Sequence, residues 1–177
     1  MTAIKFRKLL IELGACHDAL AWSKGKSLET VWSTCERGDW MLWLAAKMID
    51  KAPGWPTRQE VVLAACDCAE QASAYVLRGE DRPRKCIEVV RAWAEGKATI
   101  EQVIEARRDA FAANFAFADA AAATADAAVY TADAAAAAAV YAAYATADAA
   151  AVRFTSLRKS AELVRARLKI PLEDKGQ

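Results

Sequence analysis

The sequence predicts an all-α fold, and three observations carry the prediction. The breaker residues Gly14, Gly25, Gly38, Pro53, Gly54, Pro56, Gly79, Pro83 and Gly96 cut the first hundred residues into pieces of helical length. None of these pieces sustains the apolar/polar alternation that a half-buried strand requires. From Thr99 onward neither glycine nor proline occurs before Pro171, and the middle of that run is mostly alanine, the strongest helix former. We therefore expect a compact multi-helix N-terminal domain over residues 1–98 and a long Ala-rich helix or antiparallel helical hairpin over 99–170. The second part would pack on the first or project from it, and residues 171–177 would form a flexible tail.

A short first helix is expected through Ile4 to Leu13 and a second through Ala15 to Ser23. A third begins near Ser27 and stops at Gly38, where Arg37-Gly38 suits a helix C-terminus and Asp39 can cap the helix WMLWLAAKMID. After the loop APGWP, Thr57-Arg58-Gln59-Glu60 forms a capping box, in which the threonine and glutamate side chains satisfy each other's free backbone donors. The helix it opens places Val61, Ala65, Cys68, Ala72 and Val76 on one face. Pro83 sits in the first turn of CIEVVRAWAEG, which Gly96 closes, and Thr99-Ile100-Glu101-Gln102 is a second capping box.

About seventy residues then lie without a breaker, roughly 105 Å if they formed one rod. Both ends of that run are amphipathic, through Ile100, Ile104, Phe111 and Phe115 at one and Leu157, Ala161, Val164 and Leu168 at the other. A rod would hold these two ends far apart, whereas a hairpin reversing around Thr124 to Asp133 would let them share a core. The hairpin is the favoured form.

At 177 residues and 55% hydrophobic content the chain can bury a real core, and its net charge of +1 argues against a general polyanion binder. The charge is unevenly placed. Ala110 to Val152 carries four aspartates and no cation, while Arg153 to Gln177 carries seven cations and three anions. Five cysteines and no signal-peptide pattern point to a reduced, cytoplasmic protein of a bacterial or phage-infected cell. The longest uncharged run of the alanine tract, Ala134 to Ala147, has 14 residues; a membrane span needs about 20. No membrane association is expected.

Catalysis needs convergent groups, and the sequence offers only fragments. Cys16-His17-Asp18 looks like a compressed triad, but consecutive helical residues point about 100° apart and do not face one another. Cys66-Asp67-Cys68 has the wrong spacing for a zinc or redox pair. The chain is read as a non-enzyme with no catalytic residues, no metal site and no cofactor. Arg37-Gly38-Asp39 matches a cell-adhesion triplet, yet the tryptophans that follow argue for a helix junction. Trp22, Trp32, Trp40, Trp43, Trp55 and Trp93 read as core.

Seven residues advance a helix by about 700°, close to two turns, so residues seven apart stay nearly aligned. Asp119, Asp126 and Asp133 follow that spacing, and Asp148 with Tyr130, Tyr141 and Tyr144 falls in much the same sector. Thr124, Thr131 and Thr146 lie near the opposite side among alanines. One face is acidic and aromatic, and the other is nearly pure Ala/Thr and open to close helix approach. Asp119, Asp126, Tyr130, Asp133, Tyr141, Tyr144 and Asp148 are thus the candidate partner-binding residues, with tyrosine supplying rigid area and aspartate pairing with a basic partner surface. The plainer alternative is that the aspartates keep the helix soluble while the tyrosines pack on the domain.

The strings ACHDALAW, CERGDWMLWLA, VVLAACDCAE and GEDRPRKCIEVVRAWAEGKAT, followed by a long alanine-rich tail, resemble a family of predicted immunity proteins of bacterial polymorphic-toxin systems, also found in phage and prophage genomes. The resemblance spans residues 15–155. It implies an all-α fold and a non-enzymatic inhibitor that binds and neutralises a toxin or effector protein, with Arg37, Gly38, Asp39, Trp40, Trp43, Arg82, Pro83 and Arg84 at the shared motif positions. A phage-encoded antagonist of a bacterial defence system is the alternative within that class. Homodimerisation through the Ala/Thr face, as a structural module, and nucleic-acid binding through the basic C-terminal helix are alternatives of other classes, the last the weakest.

Overall fold

The computed structural model describes residues 1–71, 79–112, 123, 124, 126, 141 and 150–172. Among them the chain is all-helical, with no strand. The helices are α1 (Ala3–Glu12), α2 (His17–Trp22), α3 (Leu28–Thr34), α4 (Gly38–Lys47), α5 (Arg58–Glu70), α6 (Arg82–Ala94), α7 (Ile100–Phe111) and α8 (Ala150–Arg167). No helix among the described residues is long and apolar enough to cross a membrane.

Local chemistry sets most of the boundaries. Ser27 accepts from the Thr30 backbone N–H to start α3, and both predicted capping boxes form, Thr57 with Glu60 on α5 and Thr99 with Gln102 on α7. Pro83 stands in the first turn of α6, and Gly96 leaves the helix in the left-handed region at φ 73°. The α3–α4 junction departs from expectation. Helix α3 ends at Thr34, so Gly38 does not terminate it but opens α4, with Arg37 at the N-cap position and Asp39 inside the first turn.

Gly38 is there for space. A Cβ on it would lie 2.5 Å from Ser160 Cβ and 2.7 Å from both the Ser160 carbonyl carbon and the Ala161 nitrogen. Helix α8 therefore crosses α4 backbone to backbone at this point. Ser160 is fully buried; it accepts from Gln71 Nε2 at 2.7 Å through its hydroxyl, and the Cys68 thiol lies 3.9 Å from its carbonyl oxygen. Below the crossing, Ala161, Val164 and Leu168 are buried as the sequence predicted, with Leu157 packed against them. Burying Val164 and Leu168 contributes about 1.5–3 kcal/mol each.

Helix α5 is buried nearly all round, through Val61, Val62, Ala64, Ala65, Cys66, Cys68 and Ala69, because α4, α6 and α8 surround it. Ala72 and Val76 of the expected face lie outside the described residues. A second, smaller cluster joins Phe6 and Leu10 of α1 to Leu28 and Val31 of α3, to Leu44 of α4 and to Met48 at its C-cap. Helix α4 serves both clusters, since its Met41, Leu42 and Ala45 belong to the first.

Helix α7 packs on α6 through Val103, Ala106 and Ala110, with Ile100 beside them. This corrects the expected face: Phe111 is exposed and Ile104 only half-buried, because the three- and four-residue steps from Val103 select the small alanines instead. A rod through residue 126 is excluded as well. Arg107 and Asp126 form an ion pair, whereas 19 residues along one helix would separate them by about 28 Å. The chain has already turned back by Asp126, as a hairpin requires and a rod does not allow. Nor does the packed chain stop at residue 170, for Leu172 lies half-buried against both clusters.

The crossing yields a direct prediction. Gly38→Ala gains a little helix propensity but forces α4 and α8 apart, and overpacking of this kind costs about 1–3 kcal/mol. Urea unfolding should show a lowered midpoint of that size; an unchanged midpoint would mean that the helices do not meet here.

Candidate functional site

Among the described residues, α1 to α4 enclose an aromatic cleft of about 440 Å³. Phe6 and Leu10 of α1 and Val31 of α3 contribute its aliphatic and aromatic floor, and Trp22, Trp32, Trp40 and Trp43 its walls. Of these only Trp32 is fully buried; the other three are half-buried, packed against the core on one side and lining the cleft on the other, a second role that the core reading did not include. The rings of Trp22 and Trp40 stand 6.1 Å apart, tilted by 57°. Each carries a cation of the chain, Lys26 Nζ 3.5 Å from the Trp22 ring centre and the Arg37 guanidinium 4.3 Å from that of Trp40.

One end of the cleft is polar. Arg37 Nε donates to Asp39 Oδ1 at 2.9 Å and its Nη2 to Oδ2 at 2.6 Å, a two-pronged pair that holds the guanidinium pKa above its ordinary value. Asp39 is buried within the pair and Arg37 is the outer member. The adhesion triplet is thus closed on itself, in keeping with a helix junction.

The cysteines serve packing. Burial pushes the thiols of Cys66, Cys68 and Cys86 up to about 12, and that of Cys35 upward. Cys66 meets Thr124, while Cys68 meets Ser160, so one helix sends its two sulfurs to different parts of the C-terminal half. Cys16 is exposed at the rim of the cleft. His17 is almost fully exposed, 3.5 Å from Asp18. Among the described residues no three His, Cys, Asp or Glu side chains converge as metal ligands.

Of the candidate partner-binding residues, Asp126 and Tyr141 are described. Asp126 is half-buried and paired with Arg107, so a structural contact already occupies it. Tyr141 is exposed, whereas Ala123 and Thr124 are buried. Asp119, Tyr130, Asp133, Tyr144 and Asp148 lie outside the described residues. Three cations of the basic C-terminal helix make contacts within the chain. Arg158 pairs with Glu36 and Arg167 with Asp67, while Arg165 Nη1 donates to the Cys35 carbonyl at 2.7 Å and the Trp32 carbonyl at 3.3 Å. That guanidinium caps the C-terminal carbonyls of α3, which satisfies groups the helix leaves free.

Comparison with known protein families, with curated proteins and with solved structures finds nothing that matches the chain.

Thiol chemistry tests the burial pattern. A thiol-reactive disulfide at neutral pH should label Cys16 rapidly and the other four cysteines only on unfolding; several fast thiols would contradict the packing. Because Cys66, Cys68 and Cys86 keep their protons to about pH 12 when folded but ionise near 9 when unfolded, their contribution is complete below about pH 9 and is lost as pH rises towards 12. Denaturation midpoints followed from pH 8 upward should fall over that window.

Proposed function

We propose that this chain is a non-enzymatic inhibitor of the immunity-protein type, which binds and neutralises a bacterial toxin or effector protein. One contrast in its alanine-rich part supports the reading most: Thr124, on the Ala/Thr side, is buried while Tyr141, on the Asp/Tyr side, is exposed. An Ala/Thr face that packs inward leaves the opposite, Asp/Tyr face for a partner. The resemblance in the RGDW and DRPRK segments to predicted immunity proteins supports the same class. The location of the reactive groups supports binding over chemistry, since four of five thiols are buried in packing and the single histidine stands in solvent.

The contact surface under this proposal comprises Asp119, Asp133 and Asp148 with Tyr130, Tyr141 and Tyr144, which would meet a basic surface. Asp126 is removed from the direct-contact set by its pairing with Arg107. A basic functional surface on a toxin, such as one that grips nucleic-acid phosphates, would be covered by such a stripe. The nucleic-acid alternative is weakened by the engagement of Arg158, Arg165 and Arg167 within the fold.

The test is affinity capture from a host lysate, followed by reconstitution with the captured protein. A stoichiometric protein whose toxic activity falls as the chain is added supports the reading. Asp119→Asn, Asp133→Asn and Asp148→Asn together should then weaken binding about ten- to hundredfold, at roughly 0.5–1 kcal/mol per lost charge pair, with helicity by circular dichroism unchanged. Affinity insensitive to all three would sink the acidic-stripe mechanism, and a partner without suppressed activity would sink the inhibitor class.

A further inference from the structure

The aromatic cleft has a composition that packing alone does not require. Its volume of about 440 Å³ falls in the range of small-ligand sites, about 300–1,000 Å³, which combine apolar walls with a few polar groups. Its polar end is asymmetric: the Asp39 side chain is 8% exposed and that of Arg37 34%. The anion lies behind and the cation in front. Arg37 commits Nε and Nη2 to the two Asp39 oxygens, and among the described residues its Nη1 group donates to no acceptor. Lys26 over Trp22 adds a second positive charge beside the walls.

These features select among ligands. A neutral apolar molecule filling the cleft would desolvate the Arg37 Nη1 donors without replacing their water. A cationic ligand would find the Trp22 and Trp40 rings already carrying cations of the chain and would be repelled by them. A carboxylate meets a planar guanidinium with N–H groups to give, and a flat apolar body matches walls built of indole rings. We propose that the cleft between α1 and α4 is a binding site for a small organic acid with a planar apolar body, its ring among the tryptophans and its carboxylate on Arg37 Nη1. The proposal stands apart from the inhibitor reading, which concerns another surface of the chain.

Isothermal titration calorimetry of the intact chain with naphthoate, naphthamide and naphthylmethylammonium tests it. Naphthoate should bind saturably at one site, and the neutral and cationic probes about ten- to hundredfold more weakly, the difference a charged hydrogen bond makes. Ala19→Trp, on a half-exposed α2 position lining the cleft, should remove naphthoate binding. Replacing the ion pair as a unit, Arg37→Met with Asp39→Asn, leaves no buried lone charge and should erase the preference for naphthoate over naphthamide. As a readout needing no variant, naphthoate should slow alkylation of Cys16 at the cleft rim. Absence of saturable binding, equal affinity for naphthamide, or Cys16 alkylation indifferent to saturating naphthoate would each overturn the proposal.

Discussion

At Gly38 the backbone of α4 comes so near Ser160 of α8 that no side chain fits between them, and the remaining architecture follows from that approach. Two helices separated by more than a hundred residues are brought into register, which lets Ala161, Val164 and Leu168 complete the core around α5. Ser160 then sits where Gln71 donates to its hydroxyl and Cys68 approaches its carbonyl oxygen. Ser160 and Ala161 meet Gly38 at the crossing, where larger side chains would hold the backbones apart.

The same contact builds the candidate site from behind. Gly38 is flanked by Arg37 and Asp39, so the turn that admits α8 on one side aims an ion pair and Trp40 into the aromatic cleft on the other. Arg165 strengthens the link by capping the end of α3 next to Trp32 and Cys35. Cleft and crossing are two faces of one junction. The separation of roles follows: α1 to α4 present an aromatic cavity with a guanidinium at its end, while the alanine-rich part turns Thr124 inward and Tyr141 outward.

Much of this was legible in the sequence wherever short-range chemistry decides. The Thr57 and Thr99 capping boxes, Pro83 in the first turn of α6 and the apolar rows of α5 and α8 each depend on residues within two turns of one another. What could not be read depends on distant partners. Gly38 looks like a terminator until Ser160 is known to lie beside it, and Asp126 looks like a free surface carboxylate until Arg107 faces it. Four tryptophans at helical spacing say core, yet a core and a cleft differ only in whether a neighbouring helix covers them. Beside the short α2, Trp22, Trp40 and Trp43 stay half covered, whereas Trp32 is buried. Around the candidate stripe, buried Thr124 and exposed Tyr141 stand on the sides the two-faced reading gives them, while buried Ala123 and the paired Asp126 lie in the sector it left to solvent or a partner.

Core and cleft both rest on the docking of α8 across α4, and the Glu36–Arg158 contact at 3.2 Å reports it directly. In an Arg158→Lys variant, a zero-length carbodiimide should join the Glu36 carboxylate to the introduced amine through an amide that peptide mass spectrometry can locate. A docked helix predicts this cross-link at a yield comparable to that of the local Asp81–Lys85 pair. Its absence, with the Asp81–Lys85 link formed, would contradict the docked helix and with it the shared origin of core and cleft.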